Sequence, residues 1–349
     1  MNKKFRKVYP DYDISKLPKN IRDNIDDVIV EGNTNKTLIA PDGKKYNIDN
    51  KLNDLSGAEW VFFTNSVINT NYTTGGEHNC GYKYRKIHPS PKPPTLMKDI
   101  ISFFTKENEI VFDYFMGVGG SLLGASLCNR RAVGIDLNPD YIEAYKKASK
   151  HMNLEEQITF VGESKEMMNK KELKDIFKKE KASLILIDPP YGNMMSKAKT
   201  GEDMKKHGKS TTPFTNSEKD LGNMSFTEFL IKLKQIVASS LKYLDNKKYV
   251  VVFIKDMQPS GKELNLLHYD VINTLNKIPN LYYKGMKIWA DQTAKLFPYG
   301  YPFSFVATQI HQYILIFRKE EIKKKSSRGV KKWQIYGYLL KKSQKEVLL

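Results

Sequence analysis

Apolar positions in this chain fall into short solid runs separated by amphipathic stretches. Ile110-Val111-Phe112-Asp113-Tyr114-Phe115, Ala132-Val133-Gly134-Ile135-Asp136, Gln157-Ile158-Thr159-Phe160-Val161 and Ser183-Leu184-Ile185-Leu186-Ile187 read as strands. The last of these is continuous enough to be buried on both faces. Lys248 to Ile254 is another buried strand, and Lys287-Ile288-Trp289 and Gln312 to Phe317 are the final ones. Helical spacing fills the gaps. A helix is expected from about Thr95, burying Leu96, Ile100, Ile101, Phe103 and Phe104, and another through Leu122, Leu123, Ala125 and Leu127. Asn138-Pro139-Asp140 opens a third. Ser225-Phe226-Thr227-Glu228 is a capping box ahead of Phe229, Leu233, Ile236, Val237 and Leu241. A further helix covers roughly 264–277. Strand alternating with helix in this rhythm predicts an α/β fold with a parallel sheet and right-handed crossovers.

The flanks differ. Residues 1–57 form a small accessory region, in which Pro41-Asp42-Gly43-Lys44 between two short alternating runs signals a hairpin. Residues 193–225 are polar and lysine-rich, the composition of a mobile loop over substrate or of a passive insert. Pro298 to Phe305 is aromatic, suited either to stacking on bases or to lining a core. The tail 320–349 is basic and carries Trp333, Tyr336 and Tyr338, as a nucleic-acid contact or a solvated helix would.

Two stretches carry candidate chemistry. Asp188-Pro189-Pro190-Tyr191 follows the most apolar strand, where open α/β sheets bind ligands. An acid, a carbonyl fixed between prolines and an aromatic face suit a planar group bearing an amine. These four residues alone read equally well as a Pro-Pro turn. The second stretch is Met116-Gly117-Val118-Gly119-Gly120-Ser121, a glycine turn between strand and helix. Asp136 follows Gly117 by 19 positions, close to the spacing at which a second-strand acid meets ribose hydroxyls. A full G-x-G-x-x-G would need glycine at Leu122, and a phosphate-binding loop would need a lysine in the turn. Neither is present, so an adenosine ligand without phosphate remains. Asp113, ahead of the glycines, favours an ammonium over a phosphate. Asp136, Glu163 and Asp188 each stand at or just beyond a strand end.

The balance of 57 Lys+Arg against 39 Asp+Glu gives a formal charge of +18, which suits a polyanion such as nucleic acid. A lysine-rich proteome would produce the same excess. Cys80 and Cys128 are the only cysteines, so a disulfide framework is not expected and a cytoplasmic setting fits. No run of about 18 apolar residues marks a membrane span. His78, Cys80 and His88 lack the spacing of a metal site, and no metal is expected.

Together these residues resemble the amino-methylating DNA methyltransferases, which modify adenine N6 or cytosine N4 with S-adenosylmethionine. Asp113-Tyr114-Phe115-Met116-Gly117-Val118-Gly119 is similar to the family's cofactor motif, and Asp188-Pro189-Pro190-Tyr191 to its catalytic tetrad. His88-Pro89-Ser90-Pro91-Lys92-Pro93 resembles the segment enclosing the methionine end, and Ile310 to Lys319 the closing strand. Tyr114 and Gly120-Ser121 depart from the usual pattern.

The resemblance covers roughly 58–319. It implies a Rossmann-like, mostly parallel seven-stranded sheet with helices on both faces. By resemblance Asp113 would face the methionine ammonium, while Phe115, Gly117, Gly119 and Ser121 would form the cofactor turn. Asp136 would hold the ribose, and Glu163 and Ser164 would lie near the adenine. Asp188 and the Pro189 carbonyl would accept the target amine's hydrogens beside Pro190, and Tyr191 would stack on a base flipped from double-stranded DNA. An acid at the head of the tetrad favours adenine N6. Cytosine N4, an RNA or protein amine, and an inactive DNA-binding module are the alternatives. A cognate restriction endonuclease is a possible partner by the same resemblance. Cytosine C5 chemistry is disfavoured, because neither cysteine follows a proline.

Overall fold

The computed structural model describes residues 3–72, 80–192, 214–256, 266–298 and 300–321. Four short strands open the chain: β1 (Lys3–Lys4), β2 (Ile29–Glu31), β3 (Thr37–Ile39) and β4 (Lys45–Asn47). They pair antiparallel in chain order. The β3–β4 hairpin is the one that Asp42-Gly43 predicts: Leu38 faces Tyr46, and Gly43 takes φ +81°. Phe5, Ile21, Val30, Leu38 and Tyr46 close a small apolar cluster of their own. The Asn53 amide donates to the Phe103 carbonyl at 2.7 Å, and Arg130 pairs with Asp54 at 3.1 Å, joining this region to the larger sheet and its helices.

The second sheet has eight strands: β5 (Val67–Thr70), β6 (Ile110–Asp113), β7 (Arg131–Asp136), β8 (Ile158–Val161), β9 (Ala182–Ile187), β10 (Leu244–Ile254), β11 (Leu281–Asp291) and β12 (His311–Lys319). Their order is β5-β11-β12-β10-β9-β6-β7-β8, with β12 antiparallel to both neighbours and every other pairing parallel. Seven of these match the expected strands. The eighth, β5, adds an edge. Its four residues alternate in exposure, too short and too polar to stand out by pattern.

Helices α1 (Pro94–Phe104), α2 (Gly120–Ser126), α3 (Pro139–His151), α4 (Lys171–Lys179), α5 (Phe226–Ser240) and α6 (Leu267–Leu275) cover the sheet. Successive strand residues point to opposite faces, so each central strand feeds two cores. Val111, Leu184, Leu186, Val251 and Phe253 pack with α1, α2 and α3. Phe112, Ile185, Ile187, Val250 and Val252 pack with α4, α5 and α6. Burial on both faces explains why these strands read as solid apolar runs. The Ser225 and Glu228 capping box forms as expected.

Strand order reverses between the adjacent strands β6 and β9. Chain following β6 builds outward through β7 and β8, and chain following β9 builds the other way. Such a reversal opens a crevice beyond the strands' carboxyl ends.

Candidate active site

The crevice is a cavity of about 460 Å³, within the range of small-molecule sites. Four of its walls come from strand ends. β6 supplies Tyr114, Phe115 and Gly117, and β7 supplies Asp136 and Leu137. Glu163 and Ser164 follow β8, and Asp188 through Tyr191 follow β9. Nine of the twelve residues singled out by sequence therefore share one cavity.

Asp113, Gly119 and Ser121 are not among its lining residues. The Asp113 carboxylate is buried beneath the turn, accepting from the Phe115 amide at 2.9 Å and from the Ser121 hydroxyl. It thus fixes the shape of the turn from below. Burial pushes Asp113 up to about 7, against the pull of those two donors. Gly119 takes φ +73°, and a Cβ there would overlap the Tyr145 ring. Gly117 takes φ +50°, and a Cβ there would sit 3.2 Å from His88 Nε2.

The Gly117 amide donates to Asp136 Oδ2 at 2.7 Å, and the Asn138 amide donates to Oδ1 at 2.8 Å. The first turn and the second strand are welded through this carboxylate, which burial raises to about 6. Glu163 caps a short helix by accepting from the Glu166 amide at 2.6 Å, and its other oxygen lies 3.3 Å from Lys232 Nζ. The Ser164 hydroxyl donates to the Tyr114 carbonyl at 2.6 Å.

Asp188 is held from two sides. Lys92 Nζ donates to Oδ2 at 2.5 Å, and the Tyr191 hydroxyl donates to Oδ1 at 2.6 Å. Tyr191 is buried, and its hydroxyl is raised well above the ordinary phenol range by burial, with the Asp188 charge adding to the effect.

Sequence reading assigned no role to several further members. Lys92 sits in the proline-rich segment, which was legible as a unit but not residue by residue. In the same segment, His88 accepts from the Ser90 amide through Nδ1 at 3.1 Å. Its ring packs between Tyr141 and Phe214. Burial pushes His88 down to about 3, so it is neutral. Of the polar stretch 193–225, residues 193–213 lie outside the described residues, as do His78 and 322–349 of the basic tail. The described end lies across the cavity: Phe214, Thr215, Lys219, Asp220 and Leu221 all line it. The Phe214 carbonyl accepts from the Tyr141 hydroxyl at 3.3 Å. Asp220 accepts from Thr215 Oγ1 at 2.7 Å and from the Gly222 amide at 2.8 Å.

The donor set fits S-adenosylmethionine. Asp136 offers carboxylate oxygens, Phe115 an aromatic surface, and the carboxylates lining the cavity a negative field for a cationic ligand. Among the described residues no cluster of His, Cys, Asp and Glu could hold a metal ion. None of their helices is long and apolar enough to cross a membrane.

Sequence comparison matches parts of the chain to methyltransferases. Residues 2–147 match the N6_N4_Mtase family model, described as DNA methylase, and 108–259 match a model described as RNA cap guanine-N2 methyltransferase. Type II methyltransferase M.HpaI of Haemophilus parainfluenzae is 40% identical over 70 residues, covering 20% of this chain and 22% of that protein. The tRNA (guanine(10)-N2)-dimethyltransferase of Methanocaldococcus jannaschii is 29% identical over 148 residues, covering 41% and 40% respectively. Among solved structures, TrmN from Thermus thermophilus aligns at 12% identity with a TM-score of 0.42, covering 68% of this chain and 52% of that one. The matched segments span less than half the length of both sequence relatives.

Proposed function

We propose that this chain, an S-adenosylmethionine-dependent methyltransferase bearing the sequence signature of the amino-methylating DNA methyltransferases, methylates the N6 amine of adenine in double-stranded DNA. One observation carries the reading. Asp188-Pro189-Pro190-Tyr191, at the carboxyl end of β9, shares a single cavity with the glycine turn and Asp136.

The bound cofactor supplies an electrophilic sulfonium methyl. An exocyclic amine is a poor nucleophile, because its lone pair is delocalised into the ring. Asp188 accepts one of its N–H groups and the Pro189 carbonyl the other, which returns the lone pair to nitrogen. The Pro190 ring fixes the backbone that presents that carbonyl. Tyr191 offers its face to the base, with the ring held by its bond to Asp188. Positioning and a dry, preorganised field account for most of the acceleration. The base reaches this depth only when turned out of the duplex. The formal charge of +18 favours a polyanionic substrate.

A second reading has its own support. The region 108–259, which holds the tetrad, matches the RNA guanine-N2 model, and N2 of guanine is also an exocyclic amine. Methyl transfer from labelled S-adenosylmethionine to duplex DNA and to transfer RNA, measured side by side, separates the two. Label in adenine of DNA supports the proposal. Label confined to RNA guanine replaces it with the second reading.

A further inference from the structure

Lys92 stands out among the groups around Asp188. It is almost wholly buried, yet its ammonium lies in the cavity and touches the carboxylate at 2.5 Å. Burying a lysine is unfavourable unless its charge is matched, so the pair is worth most when both members are ionised. The lysine's main chain is fixed as well. Arg85, also buried, donates from Nη2 to the Lys92 carbonyl at 2.5 Å and from Nε to the Val118 carbonyl at 3.1 Å. Val118 lies inside the glycine turn. A Cβ at Gly120 would come within 2.9 Å of the Lys92 carbonyl, so the two segments are in direct contact. A continuous path therefore runs from the turn through Arg85 and Lys92 to Asp188.

We propose that Lys92 is a positioning residue for methyl transfer: it keeps the Asp188 carboxylate aimed, and through Arg85 it sets that carboxylate in register with the cofactor turn. The proposal rests on the amine-methylation reading for its catalytic meaning, though not for the ion pair itself. An ionised Asp188 accepts the amine hydrogens; a protonated one presents a competing donor. Other charged or titratable groups bear on the pair. Tyr191 donates to Asp188, buried Asp113 lies near it on β6, and Lys255 and His88 lie near Lys92. Lys92 is the cation in direct contact, so its removal dominates.

The test uses the full chain with ¹³Cγ-labelled aspartate, comparing wild type, Lys92→Met and Lys92→Arg, with Asp188→Asn to assign the resonance. In Lys92→Met the Asp188 ¹³Cγ resonance moves away from its wild-type position, because the ammonium contact on Oδ2 is lost. Single-turnover transfer falls about 10- to 100-fold, the usual range for losing a hydrogen bond to a charged group. Cofactor affinity is retained, because the lysine's main-chain contacts survive. Lys92→Arg restores most of the rate and of the resonance position. An unmoved Asp188 resonance in a folded Lys92→Met variant overturns the proposal. So does a loss of cofactor affinity and thermal stability in step with rate. Should Lys92→Met not fold, the Lys92 ammonium signal of wild type serves: slow exchange abolished by Asp188→Asn supports the pair, and fast exchange in wild type refutes it. A wild type that methylates no nucleic acid refutes the function while leaving the resonance result standing.

Discussion

The Tyr191 hydroxyl donates to Asp188 Oδ1 at 2.6 Å. The aromatic face of the tetrad and its acid are thus one unit, and the two parts of Tyr191 make separable contributions. Tyr191→Phe keeps the ring and removes the donor, so kcat falls by about tenfold, the scale of a hydrogen bond to a charged group. Tyr191→Ala also removes the stacking surface, whose loss costs a further 1–3 kcal/mol or so in base binding. Steady-state kinetics on DNA checks both. Equal losses in the two variants would mean that the ring does not touch the base.

Asp113 makes stability depend on pH. Its carboxyl is raised by burial to about 7 in the folded chain, against about 3.9 for a free carboxylate. A group raised on folding contributes stability that is full below the unfolded pKa and lost as pH rises through the folded one. The window therefore runs from about pH 4 to about pH 7. Asp113→Asn removes this slope, so the variant gains on wild type across the window by at most about 4 kcal/mol. Thermal melts of both proteins at pH 5 and pH 8, without cofactor, measure the difference. Parallel curves would contradict it.

Two glycines with similar backbones should respond differently to alanine. Gly119 takes φ +73° and would drive a Cβ into Tyr145, whereas Gly32 takes φ +87° with nothing within 4 Å. Gly32→Ala costs about 1 kcal/mol of backbone strain. Gly119→Ala carries that cost plus overpacking of about 1–3 kcal/mol. Denaturant melts give both values.

The loop between β11 and β12 exposes Tyr301, Phe303 and Phe305, the last two above 90%. This exposure contradicts core lining for these three rings, and stacking on bases is the role proposed for them. The loop emerges at the carboxyl end of β10, and Gln312 just beyond it lines the cavity. Phe303→Ala and Phe305→Ala are expected to weaken DNA binding by about 1–3 kcal/mol each where they stack, with unchanged melting temperature. Fluorescence anisotropy at fixed salt reads the affinity. Unchanged affinity in both variants would dismiss the loop as a contact.

The fold was legible because burial on both faces writes a central strand as a solid apolar run. Leu184 and Leu186 serve one core, Ile185 and Ile187 the other. The edge strand β5 escaped because an edge needs no such run. In the site, strand-end acids and positive-φ glycines were readable, since β–α turns demand those residue types. Lys92 was not. Its partner Asp188 lies 96 positions away, and only the packed sheet brings them together. Asp220 was missed because it stands inside a polar stretch, although its partners Thr215 and Gly222 are local. Asp113 shows the opposite limit. Its position was legible, but its contacts with Phe115 and Ser121 depend on the local turn of the backbone.

The most direct test is to express wild type and Asp188→Ala in cells and digest their DNA to nucleosides for mass spectrometry. The account predicts N6-methyladenine above background with wild type and none above background with Asp188→Ala. N4-methylcytosine in its place, no modified base, or full methylation by Asp188→Ala would contradict it.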